Sequence, residues 1–461
     1  MNLRVPAWLL ALAFLLLRPL SAADPDSTLR DTLTAAGIKD PLRHDLQRPI
    51  DPRLSKIESG SFEQSGLFSG KVHVVHSAKE ANALSGKLAP GDQLVLAGSD
   101  WKDAHLKFKG QGTHEAPILI RPEHPDSVIF TGLSTVAFFG SHLIISGLEF
   151  NNVNVAKANE VIFRLGNGKN EPADHCLVTH LSMEDCGSST PEDWPRVRMW
   201  LMSIQGPANT VAHSTFANFK NFGQMIDAGN LPANALQQLH ILDCQFLNRP
   251  YIDNQNGYEI LQLGWSEERA KSSGSLIQGC TFENCDGENE IITLKASDVF
   301  VRNNVFRGCQ GVLNLRECNR ILVQDNLFDG NGRKNTGGLG IEGADHVIIG
   351  NIFRNLRAHK NYYFWTIMTI CADGENAGDS VPGYGRAKNI FIARNLFDHN
   401  DGRIAVGVYP RKEYPLLPKN IMVRDNSFTG TTATTPFDYL APDPTNSFAT
   451  ELHNIGNTFA P

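Results

Sequence analysis

The chain has 461 residues, 41% of them hydrophobic, and a formal net charge of −7. It is long enough for a large core, and length alone suggests two or three domains, while the acidic balance excludes a global basic field of the kind that binds nucleic acid. Eight cysteines in this length do not make a disulfide scaffold, and no Cys-x-x-Cys occurs to support a zinc ribbon.

Residues 1–23 read "MNLRVPAWLLALAFLLLRPLSAA". Arg4 supplies a positive start, Trp8 to Leu17 an apolar run of ten, and Ser21 and Ala23 the small residues of a cleavage site before Asp24. This is a signal-peptide pattern, and the run is too short to span a bilayer. No Cys follows the cleavage site, which argues against a lipoprotein. The mature protein is therefore expected outside the cytoplasm, periplasmic or secreted. Residues 24–70 read as an N-terminal extension and 71–461 as one solenoid domain. "SAKEANALSG" (Ser77 to Gly86) predicts one short helix capped by Ser77, placed to cover the open end of a strand stack.

From about residue 125 a phrase recurs. "VFVRNNVF" ends at Phe306, "ILVQDNLF" at Phe328, "HVIIGNIF" at Phe353, "IFIARNLF" at Phe397 and "IMVRDNSF" at Phe428. Each is an alternating strand, then Asn, one residue, and Phe. The tightest spacings are 22 residues (Phe306 to Phe328) and 24 (Phe282 to Phe306). A period in the low twenties with strands and no helical pattern predicts an all-β fold, a single-stranded right-handed parallel β-helix with a short N-terminal capping helix. A leucine-rich repeat would need an L-x-x-L-x-L phrase, which is absent. Stacked coils lie about 4.8 Å apart, so equivalent positions form ladders. Asn304, Asn326 and Asn351 are expected to stack at a bend, in left-handed backbone that Asn tolerates, with their amides bonded to each other. Phe306, Phe328 and Phe353 are expected to stack inward. The cysteines keep register with the Phe positions and are expected as buried thiols.

"ENEIITLKAS" (Glu288 to Ser297) breaks the bland pattern. Residues two apart on a strand share a face, so Glu288 and Glu290 point the same way and repel unless a cation lies between them. Carboxylates with an amide oxygen suit Ca²⁺. Lys295 lies past the next bend, and Arg316 lies 21 residues on, about one coil. Asn256 lies 32 residues before Glu288, one coil plus an insertion, and offers a third oxygen. Each piece alone also reads as a solvated strand face or a surface ion pair. Their joint spacing over three coils makes the constellation Asn256, Glu288, Glu290, Lys295 and Arg316.

These stretches resemble a family. "ENEIITLKAS" followed by "CQGVLNLRECNRILVQDNLF" is similar to the core motif of polysaccharide lyase family six, which contains alginate lyases and chondroitinase B. "NGYEILQLG" resembles the strand that carries the family's calcium-binding Asn, and "LAPGDQLVLAGSDWKDAHLKFKGQGTHEAPILIRPE" its opening coils. The resemblance spans most of the mature chain. It implies β-elimination of a uronate polymer, alginate first and dermatan sulfate or chondroitin as the alternative. Ca²⁺ on Asn256, Glu288 and Glu290 would neutralise the uronate carboxylate, Lys295 would take the C5 proton, and Arg316 would protonate or stabilise the leaving oxygen. One departure stands out: in "GGLGIEGADHVIIGN" Gly340 and Glu342 occupy a strand where the family pattern leads one to expect a basic residue.

The polyanion needs cationic contacts. From Lys295 to Lys334 there are seven basic residues against four acidic. Arg320, Arg333 and Lys334 are candidate subsite residues, and Tyr362, Tyr363 and Trp365 in a long insertion are candidates for stacking on sugar rings. Arg302 and Arg307 are further candidates. Two readings from other classes remain. A pectinase-like hydrolase would need paired carboxylic acids flanking the bond, and no Asp-Asp or Gly-His-Gly segment occurs. A non-catalytic glycan-binding β-helix would bind by shape. The protein is expected to act as a monomer, without nucleic acid or a membrane partner.

Overall fold

The computed structural model describes residues 31–461 apart from 32, 36–37, 39–43, 59–61, 63–64, 99–100, 169, 233–234, 253–255, 270, 358–366, 373–384, 409–415 and 440–450. The leader segment and Tyr362, Tyr363 and Trp365 lie outside these residues. Three long sheets of 14, 13 and 13 strands run the length of the molecule. Neighbouring strands in each sheet come from successive coils and are parallel, as in the run Phe282–Phe306–Phe328–Phe353, where each residue pairs with its equivalent one coil on. Alternation of inward and outward side chains is all a short strand needs here, because each coil buries its apolar edge only against its neighbours.

The recurring Phe forms the spine of the core. From Phe216 to Phe459 the rings stack with centroids 4.6–5.2 Å apart, at interplanar angles of no more than 13°. The spacing is that of the coils, so the backbone ladder and the ring stack share one period.

The Asn ladder occupies the corner between two sheets. Each amide oxygen accepts from the backbone N–H and the side-chain N–H of the Asn one coil earlier: Asn326 Oδ1 from Asn304 at 2.9 Å each, and Asn351 Oδ1 from Asn326 at 2.9 Å each. Each side-chain nitrogen also donates to a carbonyl, as Asn326 Nδ2 does to Val301 O at 2.9 Å. The left-handed residue is the one before each Asn, which corrects the expectation from the repeat. It is Asn303 (φ 56°), Asp325 (φ 53°), Gly350 (φ 69°), Arg394 (φ 54°) and Asp425 (φ 55°). The sharp turn at that residue aims the next side chain inward under the corner, where its amide bridges coils. Asn326→Ala is expected to destabilise the fold by about 3 kcal/mol, because at least two buried partners lose their bonds at roughly 1–3 kcal/mol each. A urea midpoint lowered with an unchanged slope checks this.

All eight cysteines are buried free thiols. Cys244 and Cys280 continue the Asn corner toward the N-terminus, each with its sulfur against a carbonyl one coil earlier (Val211 and Ile241).

The capping helix spans Ala78–Ala83, with Ser77 Oγ accepting from Glu80 N at 3.3 Å and Glu80 Oε2 accepting from His76 N at 2.8 Å. It covers the strand His105–Gln111, which has a paired strand on one side only. Asn82 accepts from Lys107 N and donates to His105 O, while Ser85 Oγ accepts from Lys109 N, so the bare edge is hydrogen-bonded by side chains.

The N-terminal extension lies outside the 14-stranded sheet. Leu33, Ile38, Leu54 and Ile57 join a cluster with Leu119, Ile144, Leu177 and Ala212. Arg53, paired with Asp51, donates to His175 O, and Arg48 donates to Asn209 O at 2.7 Å and Gln238 O at 3.0 Å. The extension thus ties several coils together from outside.

Candidate active site

One of the 13-stranded sheets carries the predicted constellation. Its strands Leu261–Leu263, Glu290–Leu294, Gly311–Leu315 and Thr336–Ile341 are consecutive neighbours. Thr293 pairs with Asn314, so Lys295 and Arg316, each two residues on, hold the same position in successive coils. Inward Leu294 and Leu315 anchor both just upstream. The Lys295 backbone continues the ladder by donating to Leu263 O at 2.8 Å. A strand bulge between Glu290 and Ile292 lets Ile291 and Ile292 both face the core while Glu290 turns out.

Arg316 is pinned by Glu290: Nη1 donates to Oε1 at 3.1 Å, with the two side chains 13% and 9% exposed. Glu290 also accepts from Thr293 Oγ1. Glu288 accepts from the Gly257 backbone N–H at 3.2 Å, which brings the turn at Asn256 against it. The Asn256 side chain itself is exposed. Lys295, Arg316, Glu288 and Glu290 therefore share one patch, with Asn256 at its margin.

The sequence reading passed over Glu259, which is almost fully buried behind this patch. Its Oε2 accepts from Gln224 Nε2 at 2.8 Å, and its carboxyl hydrogen-bonds to that of Glu288. Burial, with the charges of Glu259 and Glu290 beside it, pushes Glu288 up to about 10. Burial and the Glu290 charge also raise Glu259. Three acidic groups crowded out of water cannot all ionise unless positive charge joins them. Among the described residues no three His, Cys, Asp or Glu side chains close around a common point as a ligand set; Glu259 and Glu288 meet through a hydrogen bond instead. The donor chemistry fits a hard cation: carboxylate oxygens gathered in a buried site.

Upstream on the same face, Asp227 accepts from the Trp265 indole N–H at 3.1 Å and from Gln262 at 3.3 Å, and burial raises its carboxyl to about 6. Beneath the Glu288 loop, buried Arg249 sits between the rings of Phe219 and Tyr258 and donates to the carbonyls of Asn221 and Gly223. No motif marks either residue. Asp227 lies in a coil without the Asn-x-Phe phrase, and Arg249 looks like any surface arginine in the sequence.

The other predicted contacts are dispersed. Arg320 forks onto buried Asp298 at 2.7 and 2.8 Å, and Arg333 bonds Asp286 at 2.7 Å and the Gly308 carbonyl. Both guanidinium groups are held in ion pairs that join coils. Lys334 is exposed on the turn before the strand Thr336–Ile341. Arg302 bonds Gln278, and Arg307 lies 3.8 Å from Glu283. One coil beyond Arg316 the equivalent position is buried Glu342, since Leu315 pairs with Ile341. At Gly340 a Cβ would stand 2.5 Å from Asn314 Oδ1, so a larger residue there needs the Asn314 amide to turn aside.

Fold and patch place the chain among the polysaccharide lyases built on a parallel β-helix. It belongs to polysaccharide lyase family six, because the family model described as Chondroitinase B matches residues 75–428. Solved structures agree. A mutant of the PL6 family alginate lyase AlyGC is 25% identical with a TM-score of 0.74, over 84% of this chain and 51% of that one. The chain thus spans about half the length of AlyGC. A mannuronic acid specific family 6 lyase from human gut microbiota is 22% identical with a TM-score of 0.74, over 85% and 87% of the two chains. The PL6 family polysaccharide lyase Pedsa3628 from Pseudopedobacter saltans is 20% identical with a TM-score of 0.68, over 85% and 93%. No curated protein matches the chain. Among the described residues no helix is long and apolar enough to cross a membrane.

Proposed function

We propose that the protein cleaves a uronate polysaccharide, alginate first, by β-elimination. The observation that carries this reading is the placement of Lys295 and Arg316 at one position of successive coils, beside the buried carboxylates of Glu288 and Glu290. The likeness to AlyGC and to a mannuronic acid specific lyase favours alginate. The leader pattern fits a protein that meets this polymer outside the cytoplasm.

Lys295 removes the C5 proton. The C4–O4 bond breaks, the C4–C5 double bond forms, and the leaving oxygen takes up a proton. Arg316 keeps its charge under all working conditions, so it acts best by holding the developing negative charge on the leaving oxygen, with water supplying the proton. Glu290 fixes the guanidinium plane for that task. Asn256, Glu288 and Glu290, with Glu259 behind them, would hold Ca²⁺, which when bound neutralises the uronate carboxylate as a Lewis acid and so eases loss of the C5 proton.

The test is a panel of poly-mannuronate, poly-guluronate, dermatan sulfate and pectin. New reducing ends and ultraviolet absorbance of the conjugated double bond are followed together. Both signals should rise on an alginate block. Reducing ends without absorbance would mean hydrolysis and overturn the reading; turnover of dermatan sulfate alone would move the substrate and keep the chemistry.

A further inference from the structure

The catalytic sheet continues toward the N-terminus past residues that the elimination itself does not use. Its outward column runs Thr293, Gln262, Asp227, Ser203, Arg164, each paired with the next. Four steps of about 4.8 Å put Arg164 roughly 19 Å from Thr293 along the helix axis, a span of about four sugar rings.

One guanidinium group waits there, and a second lies five strand positions off in the next coil. Arg164 makes no side-chain hydrogen bond or ion pair among the described residues; it is half-buried, and it feels Asp227 only at longer range. Arg198 lies over the Trp200 ring at 4.7 Å and the Phe222 ring at 5.0 Å, and its Nε–H is buried without an acceptor. Trp200 is held in turn, since its indole N–H donates to Gln224 Oε1 at 2.7 Å. An open cavity of about 290 Å³ adjoins Arg164, lined also by Thr135, Asn159 and Glu160 with Lys157 at its rim. Its size is close to the lower end of the range for small-molecule sites, about 300–1,000 Å³. A guanidinium short of acceptors beside a cavity of this size suits an acidic sugar. A guanidinium matches a carboxylate in plane and charge.

We propose that Arg164, with the adjoining cavity, forms a distal subsite for a uronate carboxylate, so that the polymer lies along the helix axis and long chains are preferred. This rests on the uronate reading above and adds a chain-length preference that the catalytic patch alone does not supply. Occupation of the subsite holds the polymer in register over Lys295 and lowers KM, while a chain of two or three rings bound across Lys295 does not reach it.

The test compares kcat/KM on uronate trimers and octamers for wild type, Arg164→Ala and Arg164→Lys. The octamer-to-trimer ratio should fall about tenfold to a hundredfold in Arg164→Ala, the worth of one charge-assisted contact, and through KM. Arg164→Lys should recover part of it. An unaltered ratio, or equal loss on both lengths, overturns the subsite. If wild type turns over no uronate, the function proposed above fails separately. Octamer binding, followed by tryptophan fluorescence, then decides: binding weakened in Arg164→Ala sustains the subsite, and binding equal to wild type overturns it.

Discussion

Lys295→Ala is expected to lower kcat on the preferred uronate by about 10³-fold, the range of a lost general base, with the melting temperature within a degree or two of wild type. The residue is half-exposed and its backbone, not its amine, holds the coil, through the bond to Leu263 O. Truncation therefore removes chemistry without removing a structural bond. Arg316→Ala is a contrasting control. It strips Glu290 of its ion pair and leaves a buried carboxylate less compensated, so both rate and stability should fall. A Lys295→Ala protein that keeps a tenth of wild-type kcat would require another base, and the register argument would lose its chemical meaning.

The second large effect concerns the cation. Rigorous chelation is expected to cut activity by about 10²–10³-fold, the scale of losing an electrostatic contact to developing charge. Ca²⁺ should restore it. Mg²⁺ should restore little, because it demands tight octahedral geometry and holds its water. A binding readout separates cation loss from slow chemistry: melting temperature should rise with Ca²⁺ concentration in wild type and much less in Glu288→Gln. Glu288 touches the Gly257 backbone and the Glu259 carboxyl, so the substitution keeps the shape and removes a carboxylate that the cation would need. Full activity after chelation, with no Ca²⁺-dependent melting, would take the metal out of the mechanism.

The fold was legible because a repeat displays its physics many times over. The Asn-x-Phe phrase recurs with a coil's spacing, and the Phe stack and Asn ladder occur where that phrase places them. The error of one residue at the corner has a simple origin. Asn is the familiar left-handed residue, yet here Asn304 is kept for its amide and Asn303 takes the turn, as Asp325 and even Arg394 do in other coils. The grouping of Lys295, Arg316, Glu288 and Glu290 was legible for the same reason as the fold, since register converts sequence spacing into contact. A charge count over Lys295 to Lys334 ignores partners. Asp298 and Asp286 are hidden acids that claim Arg320 and Arg333. Glu259, Asp227 and Arg164 escaped because insertions spoil the period in their coils, and only coordinates show which face they share.

The strap formed by the N-terminal extension has a consequence for how the protein is made. Arg48 docks on Gln238, 190 residues further along. At a synthesis rate of about 5–20 residues per second, its landing site emerges some 10–40 seconds after the strap itself. The strap must therefore wait, and the solenoid has to wind past it before the buckle can be fastened.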